Sequence, residues 1–327
     1  MLDKYYNNKK VLVTGSSGYL AWNLLNRLAN YNCDIICLSR NPKKVQTISK
    51  LASFKYLESN YENDSFSQEQ IGNIDIIFHL ASQTSIYVAE QNPFFDFISN
   101  VLPIQKIIDI CQKNKNIPTL IFAGTSTQCG MPKKIPVNEQ AIDMPETVYD
   151  FHKLQAERSI KFFSQKGLVK GVTFRLTNVY GPGPKSSSAD RGILNQMINK
   201  ALNNEVLTIY GSGEYVRDYI YSSDVVDFFE RAPAIIDNIK GHHIILGSGS
   251  GISINSAIKK VAEKVSEFNG SNVKVKSIRP PDNLLNIEKR NFIADISLLI
   301  EKFGNSPEIS LDKGIEKTIN YLSGLSS

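Results

Sequence analysis

Lys10-Val11-Leu12-Val13-Thr14-Gly15-Ser16-Ser17-Gly18-Tyr19-Leu20-Ala21 is the stretch that decides the reading of this chain. An apolar, β-branched run stops at a glycine turn. A helical pattern follows, with Leu20, Leu24, Leu25 and Leu28 on one face. Small residues at such a turn let the backbone approach a pyrophosphate, and the helix N-terminus offers free N–H groups and a partial positive charge. A glycine turn alone is weak; a strand before it and a helix after it make it an argument for a dinucleotide-binding βαβ unit. Gly15, Ser17, Gly18, Tyr19 and Leu20 are the residues expected to line that turn.

Outward from it, short apolar strands at 34–38, 74–80, 119–123 and 171–175 alternate with helical patterns, among them 93–113. That alternation predicts an α/β fold of the Rossmann type, a doubly wound parallel sheet covered on both faces. After Tyr180 the character changes. Gly181-Pro182-Gly183-Pro184 and Ser186-Ser187-Ser188 read as a loop, a helix is expected at 193–202, a strand at 207–210, and helix in parts of 298–321. The expected organisation is a dinucleotide-binding domain at 1–180, to which about 219–247 return, and a smaller capping lobe in 181–327.

The chain has 327 residues and a net charge of +5, too small and scattered an excess to argue for nucleic acid. The cysteines Cys33, Cys37, Cys111 and Cys129 lack zinc-site spacing and are expected as reduced, packed thiols. The polar N-terminus runs straight into a strand, and no apolar run approaches the length of a membrane span. The expectation is a cytoplasmic protein with neither nucleic acid nor membrane as partner.

The second strand ends in Ser39-Arg40, with Lys43 and Lys44 close behind. An acidic residue there usually meets the ribose of NAD, whereas arginine suits the 2′-phosphate of NADP. The cofactor expected is NAD or NADP, with the basic turn tilting toward NADP, although a solvated basic turn is the other reading.

Tyr149-Asp150-Phe151-His152-Lys153 carries the chemistry. Tyr149 and Lys153 are one helical turn apart and share a face. A phenol near pKa 10 is a poor base at neutral pH, and a nearby ammonium favours its phenolate. Gly124-Thr125-Ser126-Thr127 closes the 119–123 strand, at the sheet end where open α/β folds gather ligands. A hydroxyl there can serve the same substrate oxygen as Tyr149.

With these motifs in place, the chain resembles the extended short-chain dehydrogenases, the nucleotide-sugar epimerase/dehydratase group. The resemblance runs from Lys10 to about Tyr321. It includes His79-Leu80-Ala81-Ser82, Asn100, Arg175-Leu176-Thr177-Asn178-Val179-Tyr180-Gly181-Pro182-Gly183, Tyr210-Gly211-Ser212-Gly213-Glu214 with Arg217-Asp218-Tyr219, and Arg279-Pro280-Pro281-Asp282. It implies a nucleotide-diphosphate sugar as substrate. Tyr149 becomes the acid/base and Lys153 its partner, also touching the nicotinamide ribose. Thr125 is the catalytic hydroxyl, with Ser126 beside it. Leu80, Ala81, Ser82 and Asn100 join Ser39 and Arg40 around the cofactor. Asn60 stands where the family often has an aspartate that contacts adenine. Arg217 and Arg279 clamp the diphosphate, Asn178 contacts the substrate near its phosphates or sugar, and Tyr210 joins the substrate site. His79 and His152 are read as packing, and Cys129 has no chemistry. The resemblance also implies a homodimer through helices around 94–113 and 148–163.

Related dehydratases carry Asp-Glu after the catalytic Thr, and related decarboxylases carry Glu where Thr127 stands. Here Ser126 and Thr127 leave no acid in that loop. The expectation is therefore redox chemistry at C4 of the sugar, foremost 4-epimerisation through a 4-keto sugar. NADPH-dependent 4-ketoreduction is the alternative, and a non-catalytic nucleotide-binding protein is a third reading, disfavoured because Tyr, Lys and hydroxyl are all present.

Overall fold

The computed structural model describes residues 2–45, 50–59, 72–184 and 192–324. Strands are numbered in chain order. β1 (Lys10–Thr14), β2 (Asp34–Ser39), β3 (Ser53–Glu58), β4 (Ile76–His79), β5 (Thr119–Thr125), β6 (Lys170–Leu176) and β10 (His243–Leu246) form one seven-stranded sheet in the order β10-β6-β5-β4-β1-β2-β3. Every pair in it is parallel. The order runs outward in both directions from β1 and β4, which makes the sheet doubly wound and puts the switch point beside the glycine turn. The central strands are near-continuous apolar runs because helices cover both faces. One face buries Leu24, Leu25 and Leu28 of helix Tyr19–Leu28 with Phe228 and Phe229 of helix Ser222–Arg231. The other buries Ile104, Ile107 and Ile108 with Ala156 and Ile160.

A smaller body is built from β7 (Asn178–Tyr180), β9 (Val216–Tyr221) and β11 (Gly251–Ser253) in one sheet, and β8 (Leu207–Tyr210) paired with β12 (Val275–Ile278) in another. Helices Ile193–Leu202, Ile254–Asn269 and Leu311–Leu322 pack a separate core around them.

The structure corrects the sequence reading in three places. The helix expected at 93–113 is two helices, Pro93–Asn100 and Leu102–Gln112. Pro103 has no N–H to continue the first ladder and sits comfortably in the first turn of the second. The strand expected at 74–80 is shorter, Ile76–His79. β3 was not expected at all: it is a half-exposed edge strand, Ser-Phe-Lys-Tyr-Leu-Glu, whose charges protect the edge and erase the apolar run that marks a buried strand. The serine run at 186–188 lies outside the described residues.

Candidate active site

The glycine turn is built by a close approach. Gly15 has φ +66°, and a Cβ on it would lie 2.6 Å from the backbone nitrogen of Ala81. β1 can therefore lie directly against the Leu80-Ala81 exit of β4 only with glycine at this position. Gly18 N–H donates to Gly15 O at 2.8 Å and opens helix Tyr19–Leu28. Thr14 Oγ1 bonds His79 Nδ1 at 2.7 Å and accepts from Ala81 N–H at 3.2 Å, locking the two strand ends together. His79 is fully buried, and desolvation first, then the Lys153 ammonium, push its pKa down to about 3. A neutral imidazole clamped this way is a packing residue, as expected. Leu20 and Ser17 are partly buried on the turn; Tyr19 packs under Gly183, whose Cβ would meet its ring at 2.7 Å.

Three buried hydroxyls at the ends of adjacent strands, Ser16, Ser39 and Ser59, have no hydrogen-bond partner among the described residues. Buried polar groups normally find partners, so orphans in a row along the carboxyl ends of β1, β2 and β3 fit a polar ligand lying across them. The cradle and these hydroxyls suit a dinucleotide. Arg40 and Lys43 are exposed beside Ser39. Asn60 lies outside the described residues. Ser82 and Asn100 are engaged with each other, Ser82 Oγ to Asn100 Oδ1 at 2.6 Å, and Asn100 Nδ2 also bonds Asp96 and Gln83 O. Asn100 thus holds the loop after β4 from behind.

Thr125 ends β5, and Tyr149, Asp150 and Lys153 lie in the first turns of helix Val148–Gln165, capped by Thr147. Tyr149 and Lys153 are buried side by side on that helix. Lys153 Nζ donates to Ala123 O at 2.5 Å and sits 4.2 Å from the Phe122 ring centre, so the ammonium is tied to the strand that carries Thr125. Thr125 caps the turn that follows it: its hydroxyl accepts from Thr127 N–H at 3.3 Å, and Gln128 Oε1 accepts from Thr125 N–H at 3.1 Å. Thr125 and Thr127 hydroxyls are 2.8 Å apart, and Thr127 donates to Asp150 Oδ1. The sequence showed no acid in this loop; the fold brings one to it from the helix. Ser126 is buried in the same turn.

His152 bonds Asp96 at 2.7 Å, on the side of the helix away from β5. Asp96 is fully buried and also receives Gln83 at 2.8 Å, so His152 buttresses the loop of Ser82 and Gln83. Cys129 is buried against Arg175. All four cysteines are free and buried, and burial pushes the Cys33, Cys37 and Cys111 thiols up to about 12.

Residues 11–247 match the NAD dependent epimerase/dehydratase family. The chain belongs to that family. It is an NAD(P)-dependent enzyme of the extended short-chain dehydrogenase type. A putative UDP-glucose 4-epimerase from Methanocaldococcus jannaschii is 26% identical over 314 residues, covering 95% of this chain and 98% of that protein. A dTDP-4-dehydro-6-deoxyglucose reductase from Escherichia coli is 27% identical over 318 residues, covering 95% and 97%. The crystal structure of UDP-glucose 4-epimerase from Thermotoga maritima with UDP-glucose superposes with a TM-score of 0.81 at 25% identity, covering 96% of this chain and 99% of that one.

The two arginines expected to clamp the diphosphate lie in different surroundings. Arg217 is buried, and its guanidinium donates to the carbonyls of Val216, Glu288 and Arg290. Arg279 is an exposed side chain paired with Asp282 at 2.8 Å. The physical reason is the segment 285–290, which folds over Arg217 and supplies carbonyls to it. That segment brings Arg290, also buried, next to Arg217 and Tyr219, where both arginines pull against the burial that raises the Tyr219 phenol. Arg290 was not singled out in the sequence; only the fold makes it a neighbour of the Arg217-Asp218-Tyr219 motif. Asn178 is half-buried and donates to Asp218 O at 2.9 Å, and Tyr210 is exposed at the end of β8. Among the described residues no helix is long and apolar enough to cross a membrane.

Proposed function

We propose that this protein interconverts the C4 epimers of a nucleotide-diphosphate sugar through a 4-keto sugar. The observation that carries the reading is the Thr125–Tyr149–Lys153 set, held between β5 and helix Val148–Gln165 with hydroxyls, not acids, at 126 and 127. The relatives named as 4-epimerases support it. A dinucleotide held by the Gly15–Gly18 turn would supply a hydride acceptor, and then donor, for C4. Tyr149 serves the C4 oxygen as acid/base, and the ammonium of Lys153 favours its ionised form. Thr125 hydrogen-bonds the same oxygen. Incubation with UDP-hexoses, followed by proton NMR, should show the C4 epimer appearing with no net consumption of cofactor; recovery of unchanged sugar from every UDP- and dTDP-hexose tried would sink the reading.

Arg40 favours a second reading, NADPH-dependent reduction of a 4-keto sugar, because it is exposed at the end of β2 where the 2′-phosphate lies. It is separated by offering NADPH and dTDP-4-dehydro-6-deoxyglucose: stoichiometric loss of absorbance at 340 nm is reductase behaviour. Arg40→Ala would then weaken NADP roughly tenfold and leave NAD unchanged.

The nucleotide-sugar reading has its own test in the lobe. Arg279→Ala should leave the melting temperature unchanged and weaken UDP roughly tenfold, the worth of one charge-assisted hydrogen bond. Arg217→Ala should lower both, since three carbonyls lose their donor. Calorimetry showing unaltered UDP affinity in both variants would misplace the diphosphate.

A further inference from the structure

Asp96, in helix Pro93–Asn100, is a carboxylate with no exposure to solvent, and three side chains donate to it. Its Oδ1 accepts from Gln83 Nε2 at 2.8 Å and from Asn100 Nδ2 at 2.9 Å, and its Oδ2 accepts from His152 Nδ1 at 2.7 Å. An ionised carboxylate only accepts, so Nδ1 of His152 carries a proton. Asn100 also donates to Gln83 O at 3.1 Å and accepts from Ser82 Oγ at 2.6 Å. The Gln83 amide donates to Ser85 O at 2.8 Å and accepts from Ser85 N–H. The loop that leaves β4 is thereby fastened to one side of Asp96. The other side is fastened to helix Val148–Gln165 through His152, with Phe97 edge-on to the imidazole at 5.7 Å and Phe151 at 5.6 Å. His152 stands three residues after Tyr149 and directly before Lys153. Residues three apart are neighbours on a helix surface, so a shift of the imidazole is a shift of the Tyr149 phenol.

We infer that His152 and Asp96 are positioning residues for the C4 reaction: their bond sets the spacing between the loop after β4 and the helix of Tyr149 and Lys153. This rests on the C4 redox reading above. On that reading Leu80, Ala81 and Ser82 meet the cofactor, and Tyr149 meets the C4 oxygen. Hydride leaves C4 and the proton leaves the oxygen on it, so the two walls that serve them must keep their distance. Lys153 ties the helix to a different strand, β5, through Ala123 O at 2.5 Å. Val148 N–H reaches Glu90 Oε1 on helix Ile86–Gln91 at 2.8 Å, but that bond is exposed to water. The His152–Asp96 bond is buried, and it joins the helix to the carboxylate that also holds Gln83 and Asn100. Neither residue touches the reacting atoms on this reading; both act through Tyr149 and the loop. A displacement of about 1 Å at such a distance from the chemistry can cost on the order of 10²-fold in rate. The competing account is a His–Asp pair whose loss lowers stability and nothing more.

The test compares the full-length parent with His152→Leu and His152→Asn, at a temperature where circular dichroism shows each one folded. Leucine removes the donor, whereas the side-chain amide of asparagine can offer an N–H where Nδ1 stood. Three quantities are read: kcat and KM on the UDP- or dTDP-hexose that the parent epimerises, calorimetric affinity for UDP and for NAD, and amide hydrogen exchange over residues 82–88 without any ligand. For His152→Leu, kcat should fall roughly 10- to 10²-fold. Its KM and both affinities should stay within about threefold of the parent, because no binding group has been removed. Exchange over 82–88 should quicken. His152→Asn should return kcat to within about threefold of the parent and restore the slow exchange, since one hydrogen-bond donor is all that the inference asks of this position. Parental kcat in His152→Leu, a loss confined to KM, or equal losses in the leucine and asparagine variants would each overturn the inference and leave the epimerase reading standing. A parent that epimerises no hexose offered removes both. Should His152→Leu fail to fold, Asp96→Asn decides by the same split of kcat from KM, because it keeps the volume and turns one accepting oxygen into a donor.

Discussion

Glu157 and Arg175 form a parallel two-bond pair in the interior, Arg175 Nε to Glu157 Oε2 at 2.9 Å and Nη2 to Oε1 at 2.8 Å. Both side chains are essentially inaccessible, Glu157 at 0% and Arg175 at 1%. Asp143 takes the other edge of the guanidinium at 2.6 and 3.0 Å, and Gln128 reaches the same Glu157 oxygen at 3.1 Å while accepting from Thr125 N–H. The pair therefore joins β6, the helix of Lys153 and the turn after Thr125. Glu157→Gln leaves Arg175 with Asp143 alone, and Arg175→Leu leaves Glu157 with Lys161 alone; losing the charge-assisted bonds of the pair should cost about 1.5–3 kcal/mol. Urea unfolding should show that loss, and replacement by a charge-free variant at both positions should recover part of it. Single variants as stable as the parent would remove this pair from the architecture of the site.

Tyr149→Phe keeps the ring that packs with Ile86, Ala89 and Ile287 and removes only the hydroxyl. Turnover should fall by roughly 10²–10⁴, the range for a general acid–base group, with the dinucleotide still bound. Near-parental turnover on the true substrate would take Tyr149 out of the mechanism.

Acid should destabilise the protein through buried imidazoles before it reaches the carboxylates. Burial, then Lys153, holds His79 at about 3, and burial, then Arg175, holds His243 at about 4. Both are neutral in the folded state while the unfolded chain protonates them below about 6.5. Their contribution is therefore complete above about 6.5 and is lost as pH falls toward 4 and 3. Glu157 is the later event: burial raises it, but Arg175 outweighs burial and holds it at about 2, so its contribution persists above its ordinary range and fades as pH falls through 2. Between pH 7 and 5, His79 alone is worth roughly 2 kcal/mol. Denaturant midpoints at the two pH values should differ by less in His79→Gln; an equal difference would show that His79 is not the source.

Phe94, Phe151 and Phe162 are 71%, 48% and 52% exposed on helices Pro93–Asn100 and Val148–Gln165. Large aromatics left in water on neighbouring helices suit an isologous dimer, in which the same patch meets itself. Light scattering at micromolar concentration should report a dimer for the parent and a monomer for Phe94→Glu combined with Phe151→Glu. A monomeric parent would contradict it.

Much of this protein was legible without coordinates because the decisive signals are local. A strand, a glycine turn and a helix lie within 10–21, and Tyr149 and Lys153 are one turn apart on one helix. Periodicity reports such neighbours directly, and the alternation of strand and helix leaves few topologies for a parallel sheet. The edge strand β3 and the break at Val101 escaped because an exposed strand has no apolar run and a proline can either end a helix or begin one. What only the tertiary structure decided lies between residues distant in the chain. Asp150 reaches Thr127 across 23 positions, and Arg217 is enclosed by carbonyls more than 70 positions away. A carboxylate on a helix has no partner written beside it in the sequence. Its partner is set by where packed layers of apolar side chains bring the backbone, and that is a property of the whole core.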